Sequence, residues 1–407
     1  MNQPLTHEWK KVKLEDVASV IDCPHSTPKW EKEGVLAIRN FNLSNGYIVK
    51  DKVSYVSEDA FIERTKRAIP KQGDCILSRE APIGSVGYIS TEEKMCLGQR
   101  VVLIQPKDNI DSRFLLYQLL SRDVQKQFQL SEGTGATVSN LRIPAIKHTV
   151  ISYVDIEHQK IISSQLAHYD DLIINTNRRI KILEAIAEKV YREWFGSDKD
   201  TVSANWSKVK LSECLSVLRG KSYTGKDLEK SENSIPLVNL KCIKRNGGFR
   251  KDGLKTFSGK YKESHIVHKG DIVMAVTDMT QERLIVARSA RVPSLGVDFG
   301  VISMDLVKIE PKENCDRDFL YAYLRWSDFA DNVKNYANGA NVLHLLPDRI
   351  AEYEIFLPPL ELQRKFSSVV KDMFEQIDIL ELACDNLKKT RDLLIPQLVT
   401  GKLAIKS

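Results

Sequence analysis

The chain contains an internal duplication. Residues 9–20 recur as residues 206–217, and both segments begin with Trp and carry Val-Lys-Leu at their fourth to sixth positions. At the same offset of 197 residues, the Gly-Asp pair that starts at Gly73 is matched by one at Gly270. Three further matches follow in order at offsets of 204 or 205 residues: 111–115 with 316–320, 135–138 with 339–342, and 157–160 with 361–364. Isolated Trp-x-x-Val and Gly-Asp patterns are common, but they would not share an offset. The duplication therefore predicts two similar domains in one chain, because its repeat is far longer than the ~20–50 residues of a solenoid unit.

Each repeat has two kinds of sequence. Its first part is mixed, with short β-like runs at 35–38, 75–77 and 101–104 that are bounded by Gly, Pro, Asn and Asp. Residues Arg113 to Phe128 are predicted to form one amphipathic helix. The last part of each repeat is nearly free of Gly and Pro and follows a helical period. We therefore expect an α+β fold with two similar mixed α/β domains in a pseudo-two-fold arrangement.

The helical parts carry heptad repeats. In the first repeat, apolar residues dominate two interleaved series: Leu166, Ile173, Ile180, Ala187, Trp194 and Ile162, Tyr169, Thr176, Leu183, Val190. In the second repeat, only Arg391 interrupts the corresponding series: Phe366, Met373, Leu380, Leu387, Leu394 and Val370, Ile377, Cys384, Arg391, Leu398. A sustained 3.5-residue period is typical of a coiled-coil seam.

Two long helices with matching seams are expected to pair with each other, antiparallel, as rods of roughly 60 Å. The alternative is that each helix packs only on its own domain. The predicted boundaries are 1–154 for the first globular domain, 155–198 for the central helix, 199–358 for the second globular domain and 359–407 for the C-terminal helix. At the end of the central helix, Trp194 and Phe195 either pack against the second helix or the next domain, or form a surface for a partner.

Charge and hydropathy limit the class of protein. Lys and Arg exceed Asp and Glu by six, which permits a nucleic-acid partner without requiring one. No run approaches the ~18 apolar residues of a membrane helix, and the first residues lack the apolar stretch of a signal peptide. The seven cysteines form no Cys-x-x-Cys pair. We expect a reduced, cytoplasmic protein with no membrane partner.

Several motifs together resemble the specificity subunit of type I restriction-modification systems. Residues 22–28 followed by 38–40 look like the start of its recognition domains, and residues 73–84 look like their central strand and loop. Residues 194–196 and 394–403 look like the two helix endings of the family. Their order, spacing and duplication extend over essentially the whole chain.

The resemblance implies a function. Each globular part would be a target recognition domain that recognises one half of a bipartite, asymmetric site in double-stranded DNA. The helices would act as a ruler for the spacer and as a docking site for two methyltransferase subunits, with restriction subunits completing the complex. The subunit itself would have no catalytic site and no cofactor, because the methyl donor, ATP and magnesium would belong to partner subunits.

The residues agree with a non-catalytic chain. The single Pro-Pro, Pro358-Pro359, lies outside the Asn/Asp-Pro-Pro-aromatic motif of adenine methyltransferases, and Gly133–Gly135 does not follow a β-run. Pro347-Asp348 could start a nuclease motif of the Pro-Asp…Asp/Glu-x-Lys type, but the nearby Glu352-Tyr353-Glu354 lacks its lysine. Cys23 with His25, and His265 with His268, lack the second ligand pair of a structural zinc site. Asp74 and Asp271 follow glycine and are predicted to be turn residues.

Candidate DNA contacts are loop residues of the types that bind base edges. In the first domain these are His25, Ser26, Thr27, Lys29, Arg39, Asn40, Arg79, Gln99, Arg100, Thr137 and Asn140. In the second domain they are Arg219, Lys221, Tyr223, Asn239, Lys241, Thr277, Asn341 and His344. Loops at equivalent places differ, as between 78–81 and 275–279, which two readers of different half-sites would require. Two other functions remain open: a stand-alone DNA methyltransferase or nuclease, and a coiled-coil adaptor with no DNA role.

Overall fold

The computed structural model describes residues 8–50, 52–131, 140–196 and 205–403. The chain divides into two compact units. Unit 1 comprises Met1–Ile174 and Asp385–Ser407, and unit 2 comprises Asn175–Cys384. Each unit therefore contains one globular repeat together with parts of both long helices.

The strands of unit 1 form two small sheets, a hairpin and a separate pair. They are β1 (Lys10–Lys13), β2 (Ala18–Asp22), β3 (Val35–Ile38), β4 (Leu43–Ser44), β5 (Tyr47–Ile48), β6 (Tyr55–Val56), β7 (Cys75–Ser78), β8 (Val86–Tyr88), β9 (Met95–Leu97), β10 (Val101–Pro106) and β11 (Val150–Tyr153). One sheet is antiparallel with the order β2-β10-β7-β8, and the other has the order β6-β3-β9 with β3 parallel to β9. Strands β4 and β5 form the hairpin, and β1 pairs with β11.

The central strand β10 contains an uninterrupted apolar run whose side chains are buried on both faces of the sheet. Val102 and Ile104 lie in one hydrophobic cluster, while Val101 and Leu103 lie in another. Successive side chains of a strand point to opposite faces, so a sheet that is covered on both sides requires apolar residues at every position. The three β-runs predicted in the first repeat are confirmed as β3, β7 and β10.

The helices of unit 1 correct one prediction. They are α1 (Leu14–Val17), α2 (Glu58–Arg64), α3 (Ser112–Leu120), α4 (Arg122–Leu130), α5 (Ile143–Lys147) and the first part of α6 (Ile156–Phe195), together with the end of the C-terminal long helix from Asp385 onward. The single helix expected from Arg113 to Phe128 is wrong, because the chain is extended at Ser121 with ψ 148°. The Ser121 hydroxyl accepts a hydrogen bond from the Val124 N–H at 3.4 Å. Serine favours such N-cap positions, so it begins a second helix.

Unit 2 repeats this plan. Its strands are β12 (Ser207–Lys210), β13 (Leu215–Arg219), β14 (Ile235–Val238), β15 (Lys255–Phe257), β16 (Ile266–Val267), β17 (Ile272–Ala275), β18 (Thr277–Asp278), β19 (Ser289–Arg291), β20 (Gly300–Ile302), β21 (Leu306–Pro311), β22 (Leu343–His344) and β23 (Glu354–Leu357). Its helices are the second part of α6, α7 (Leu211–Cys214), α8 (Arg317–Trp326), α9 (Phe329–Val333), α10 (Pro347–Ala351) and most of α11 (Leu360–Leu398). The sheet β13-β21-β17-β19 has the same order as β2-β10-β7-β8, and β12 pairs with β23 as β1 does with β11. The duplication is thus one of fold as well as of sequence.

The Gly-Asp pairs form the same turn in both units. The Asp74 carboxylate accepts a hydrogen bond from the Lys71 N–H at 3.0 Å, and Asp271 accepts one from the His268 N–H at 2.9 Å. The preceding residues, Gly73 and Gly270, have φ values of +95° and +89°. Glycine is favoured there because side chains disfavour left-handed backbone. The interpretation of both aspartates as turn residues is confirmed.

The two long helices have the predicted length and seam. Helix α6 has 40 residues and α11 has 39, and every seam residue is buried or half-buried. Within unit 2, the Asn177 side-chain amide contacts the Cys384 sulfur at 3.5 Å, and the ring centroids of Phe195 and Phe366 lie 5.2 Å apart. Residue numbers rise along α6 as they fall along α11, so the helices pair antiparallel in this unit. Each helix also contributes to the core of a globular part.

The aromatic pair at the end of α6 packs inside unit 2. Phe195 is only 4% exposed, and its ring lies 4.9 Å from that of Phe319. Trp194 is half-buried, with its ring centroid 6.1 Å from that of Phe366. These contacts favour the packing role over the partner-docking role for both residues.

Candidate nucleic-acid interface

Ten of the eleven residues predicted in the first domain lie among five loop segments of unit 1. The segments follow β2, follow β3, follow β7, precede β10 and precede α5. The eleventh, Thr137, lies outside the described residues. Two carboxylates, Asp22 and Glu80, connect these segments.

Asp22 links the segment after β2 to the segment after β7. Its Oδ1 lies 2.9 Å from Nη1 of Arg79, and its Oδ2 lies 3.2 Å from Nε2 of His25. Arg79 also donates from Nε to the Leu141 carbonyl at 2.9 Å. Gln99 donates to the His25 carbonyl at 2.6 Å. The nearly buried Arg79 therefore holds the loops together, while the exposed His25 lies at their surface.

Glu80 forms the second centre. Its Oε1 accepts a hydrogen bond from the side-chain amide of Asn140 at 2.9 Å, and its Oε2 lies 3.3 Å from Nε of Arg100. The side-chain amide of Asn40 donates to the carbonyls of Glu80 and Ala81, at 3.2 and 2.8 Å. Three predicted residues from three different loops thus meet at one acidic residue.

The remaining predicted residues of this domain extend the surface. The Arg39 guanidinium lies 4.8 Å from the ring centroid of Trp30 and 4.7 Å from that of Phe41, so it makes cation–π contacts with two aromatic rings. Ser26, Thr27 and Lys29 are exposed. The face combines exposed cationic and polar groups with an aromatic pair.

The predicted residues of the second domain are more dispersed. Arg219, Lys241, Asn341 and His344 are exposed, while Lys221 and Tyr223 are half-buried. Asn239 and Thr277 are buried, with 3% and 2% exposure. Asn239 donates to the Gly253 carbonyl at 2.7 Å and accepts from the Lys241 N–H at 3.0 Å, so its side chain stabilises a turn. Thr277 pairs with His344 across β18 and β22, and the phenol of Tyr223 accepts a hydrogen bond from Lys255 at 3.2 Å.

Each domain connects these loops by the same pattern of backbone hydrogen bonds. In unit 1 the Arg79 N–H donates to the Arg100 carbonyl at 2.8 Å, and the Leu141 N–H donates to the Arg79 carbonyl at 3.0 Å. Unit 2 repeats both hydrogen bonds at equivalent positions: Val276 N–H to the Asp305 carbonyl at 2.9 Å, and Leu345 N–H to the Val276 carbonyl at 2.8 Å. The two domains therefore share these two backbone hydrogen bonds between the loops, which form a common backbone frame.

The side chains on this frame differ in charge and hydrogen-bonding capacity. The equivalent pairs, first domain before second, are Asp22 and Arg219, Arg79 and Val276, Glu80 and Thr277, Arg100 and Asp305, and Asn140 and His344. Two positions reverse the sign of the charge, and at two others the second domain lacks the charge of the first. The two surfaces therefore present different sets of charges, donors and acceptors at equivalent positions.

Comparison with known proteins identifies the family. Residues 6–185 and 203–388, one segment in each repeat, match the family described as Type I restriction modification DNA specificity domain. The chain belongs to this family. Each matched segment contains one of the two loop surfaces and most of one long helix, so the chain is a specificity subunit of a type I restriction-modification system with two target recognition domains. Specificity subunits are the non-catalytic parts of type I complexes.

Relatives cover nearly the whole chain. The type I restriction enzyme MjaIX specificity subunit of Methanocaldococcus jannaschii is 26% identical over 373 residues, covering 86% of this chain and 82% of that protein. The HindI specificity subunit of Haemophilus influenzae is 21% identical over 467 aligned positions, covering 97% and 100%. The crystal structure of a type I restriction-modification S subunit from M. genitalium superposes with a TM-score of 0.55 at 15% identity, covering 100% and 99%. This structural likeness shows a shared fold.

The carboxylates at the centres of the interface were not predicted from the sequence. Asp22 and Glu80 are acids, whereas the predicted residues are of the types that bind base edges or phosphates. A signal for both acids was nevertheless present, because each lies within three residues of a predicted basic residue, His25 or Arg79. Among the described residues, a comparable carboxylate in unit 2 is Asp278, which accepts hydrogen bonds from the N–H groups of Thr280 and Ile285 at 2.9 and 2.6 Å. Burial raises the pKa of Asp278, but these backbone hydrogen bonds outweigh it and hold the pKa below its usual value.

The motifs considered for catalysis or metal binding have structural positions. Pro347 begins the short helix α10, a position that suits proline because its missing N–H would be unpaired there. Gly133–Gly135 lies outside the described residues. In the part of the chain that the structure describes, no three His, Cys, Asp or Glu side chains converge as metal ligands. Across the same ranges, no helix combines the length and apolar character of a membrane span.

Proposed function

We propose that each target recognition domain binds one half of a bipartite, asymmetric site in double-stranded DNA. The observation that carries the proposal is a shared backbone frame with side chains of different charge at equivalent positions. A common frame supports the same docking on DNA, while different side chains support different base contacts. The nineteen predicted residues, from His25 to His344, are proposed to line or position these two surfaces.

The long helices are proposed to set the spacer between the half-sites. B-DNA presents the same groove face every ~34–36 Å, so two readers on one side of the duplex must be held at about that spacing. A helix of 40 residues extends roughly 60 Å, which is long enough to span it. Residues 155–198 and 359–407 would form this ruler, and residues 1–154 and 199–358 would form the two reading domains.

The duplicated fold also favours two copies of one partner. Two similar surfaces in one chain can each bind the same protein, which suits two methyltransferase subunits, with restriction subunits joining them. The methyl donor, ATP and magnesium would then be bound by those partners. A complex that methylates cellular DNA would act in the cytoplasm, and no membrane partner is proposed.

A domain exchange tests the proposal. Replacing residues from about Trp9 to Val154 with the matching domain of another specificity subunit should change one half-site and leave the other intact. The methylated motif of cells that carry the chimaera and its methyltransferase partner shows the outcome directly. If both half-sites change together, the two domains do not bind DNA separately.

Two assays address the other functions considered for the chain. Incubating the subunit alone with DNA and a labelled methyl donor should give no transfer, and measurable transfer would favour a stand-alone enzyme. Gel shift with duplex DNA, with and without the methyltransferase partner, should show binding. Failure to bind DNA both with and without the partner would favour an adaptor with no DNA role.

A variant of Trp194 separates packing from partner docking. Trp194→Ala should lower the free energy of unfolding by about 2 kcal/mol, below the ~3–5 kcal/mol of a fully buried tryptophan, because the side chain is half-buried. Thermal unfolding of the isolated subunit measures this effect, and a pull-down of the methyltransferase partner should remain normal. Unchanged stability with lost assembly would instead assign Trp194 to docking.

A further inference from the structure

One arginine of the first target recognition domain has a strained backbone at the interface. Arg100, in the turn between β9 and β10, has a φ of +66°. A residue with a side chain adopts this left-handed conformation at an energetic cost and keeps it only where surrounding contacts enforce it. Here the Arg100 carbonyl accepts the Arg79 N–H at 2.8 Å. The turn therefore holds Arg100 in one place.

The Arg100 side chain is held by a carboxylate at the Nε edge of its guanidinium. Its Nε lies 3.3 Å from Oε2 of Glu80, whose other oxygen is bound to Asn140 at 2.9 Å. The side chain is still 54% exposed. Within the described residues neither terminal nitrogen of Arg100 has a protein partner, so two N–H donors remain available to a ligand.

A pair of donors on a planar group fits two targets in DNA. Arginine binds the O6 and N7 atoms of guanine in the major groove with two hydrogen bonds, and it binds phosphate in a similar way. The position of Glu80 favours the guanine, because its negative charge beside the arginine repels the full charge of a phosphate more strongly than the uncharged edge of a base. A carboxylate that fixes the guanidinium also narrows the orientations in which the donor pair can point.

We propose that Arg100 recognises a guanine in the half-site bound by the first target recognition domain, with Glu80 as its positioning residue. This inference rests on the proposed DNA-binding function of the domain. The second domain has Asp305 and Thr277 at the equivalent positions, so the contact belongs to one half-site only.

The test uses the complete subunit assembled with its methyltransferase partner. The wild-type motif is first determined by sequencing methylated DNA, and the domain exchange assigns one half-site to the first domain. A duplex library randomised in that half-site is then methylated by wild type, Arg100→Ala, Arg100→Lys and Glu80→Gln. Arg122→Ala is the control, because Arg122 is an exposed arginine of the same domain outside the interface loops.

Arg100→Ala should reduce the preference for guanine at one position by about tenfold to a hundredfold, while the other positions and the second half-site keep their preferences. Arg100→Lys should lose most of this discrimination, because lysine lacks the planar donor pair. Glu80→Gln should lose part of it at the same position. The control should retain the wild-type motif.

Two results would overturn the inference. A uniform fall in methylation with an unchanged motif, together with a weaker salt dependence of DNA binding, would assign Arg100 to a phosphate. A motif and affinity equal to wild type would assign it no DNA contact. Thermal unfolding shows whether the alanine variant is folded, and the lysine variant decides the question if it is not. A wild-type complex without a bipartite motif would instead contradict the proposed function itself.

Discussion

Replacing Asp170 by alanine should lower the free energy of unfolding of the subunit by about 3 kcal/mol, because it leaves a buried guanidinium without its main partner. Arg391 is 2% exposed, and its Nη1 lies 2.7 Å from Oδ1 of Asp170. Asp392 also binds Arg391, at 2.8 Å, and this second carboxylate places the expected loss near the lower end of the usual range of ~3–5 kcal/mol.

Asp170 also binds two tyrosines of the globular part of unit 1. Tyr47 donates to its Oδ1 and Tyr117 to its Oδ2, both at 2.6 Å. Burial, followed by the neighbouring Asp170 carboxylate, raises the pKa of Tyr117, so its phenol stays protonated and able to donate. One carboxylate on α6 therefore connects β5, α3 and α11. Loss of the Asp170 carboxylate should weaken the contact of the first recognition domain with the helices and the contact between the two helices.

Urea unfolding of the complete chain measures the change. Asp171→Ala is the matched control, because Asp171 is the adjacent, exposed carboxylate of the same helix. The double variant Asp170→Leu with Arg391→Leu should recover part of the stability, since apolar pairs often replace buried ion pairs without loss. The recovery should be incomplete because the Tyr47 and Tyr117 hydroxyls still lose Asp170 as their acceptor. An Asp170→Ala protein as stable as the control would show that Asp392 alone neutralises Arg391.

Lengthening both helices should lengthen the DNA spacer. Four residues inserted after Thr176 in α6, with four more after Cys384 in α11, add roughly 6 Å to each helix. The matched insertion follows from the structure, because Asn177 and Cys384 are in contact within unit 2 and an insertion in one helix would displace the seam. The methylated motif should keep both half-sites and gain a spacer longer by about two base pairs, at ~3.4 Å each.

A one-helix insertion is the control for this experiment. It should reduce methylation, because apolar seam residues of the longer helix would face polar positions of the other. Sequencing the methylated DNA of cells that carry each variant gives the spacer length directly. Full methylation with an unchanged spacer in the matched variant would show that the helices do not set the distance.

The duplication, the two long helices and the frame positions of both repeats are predictable from the amino-acid sequence alone. These features arise from patterns in the sequence: short apolar runs bounded by turn residues, heptad spacing, Gly-Asp turns and the common offset. The sequence also selected the surface loops of the first domain, since residue types that bind bases cluster there. The prediction of a single helix was wrong at Ser121, because this polar residue inside an amphipathic pattern begins a second helix.

The partners of the charged residues are known only from the three-dimensional fold. In the sequence, Arg391 only interrupts the heptad pattern. In the structure, it binds Asp170, which lies 221 positions earlier in the chain. Glu80 acquires its role through Arg100 and Asn140, which lie 20 and 60 positions away. Patterns of hydrophobic spacing record which face of an element is buried, but an ion pair depends on which distant loop or helix the fold brings beside it. The fold was therefore predictable from the sequence, whereas the arrangement of the candidate interface required the structure.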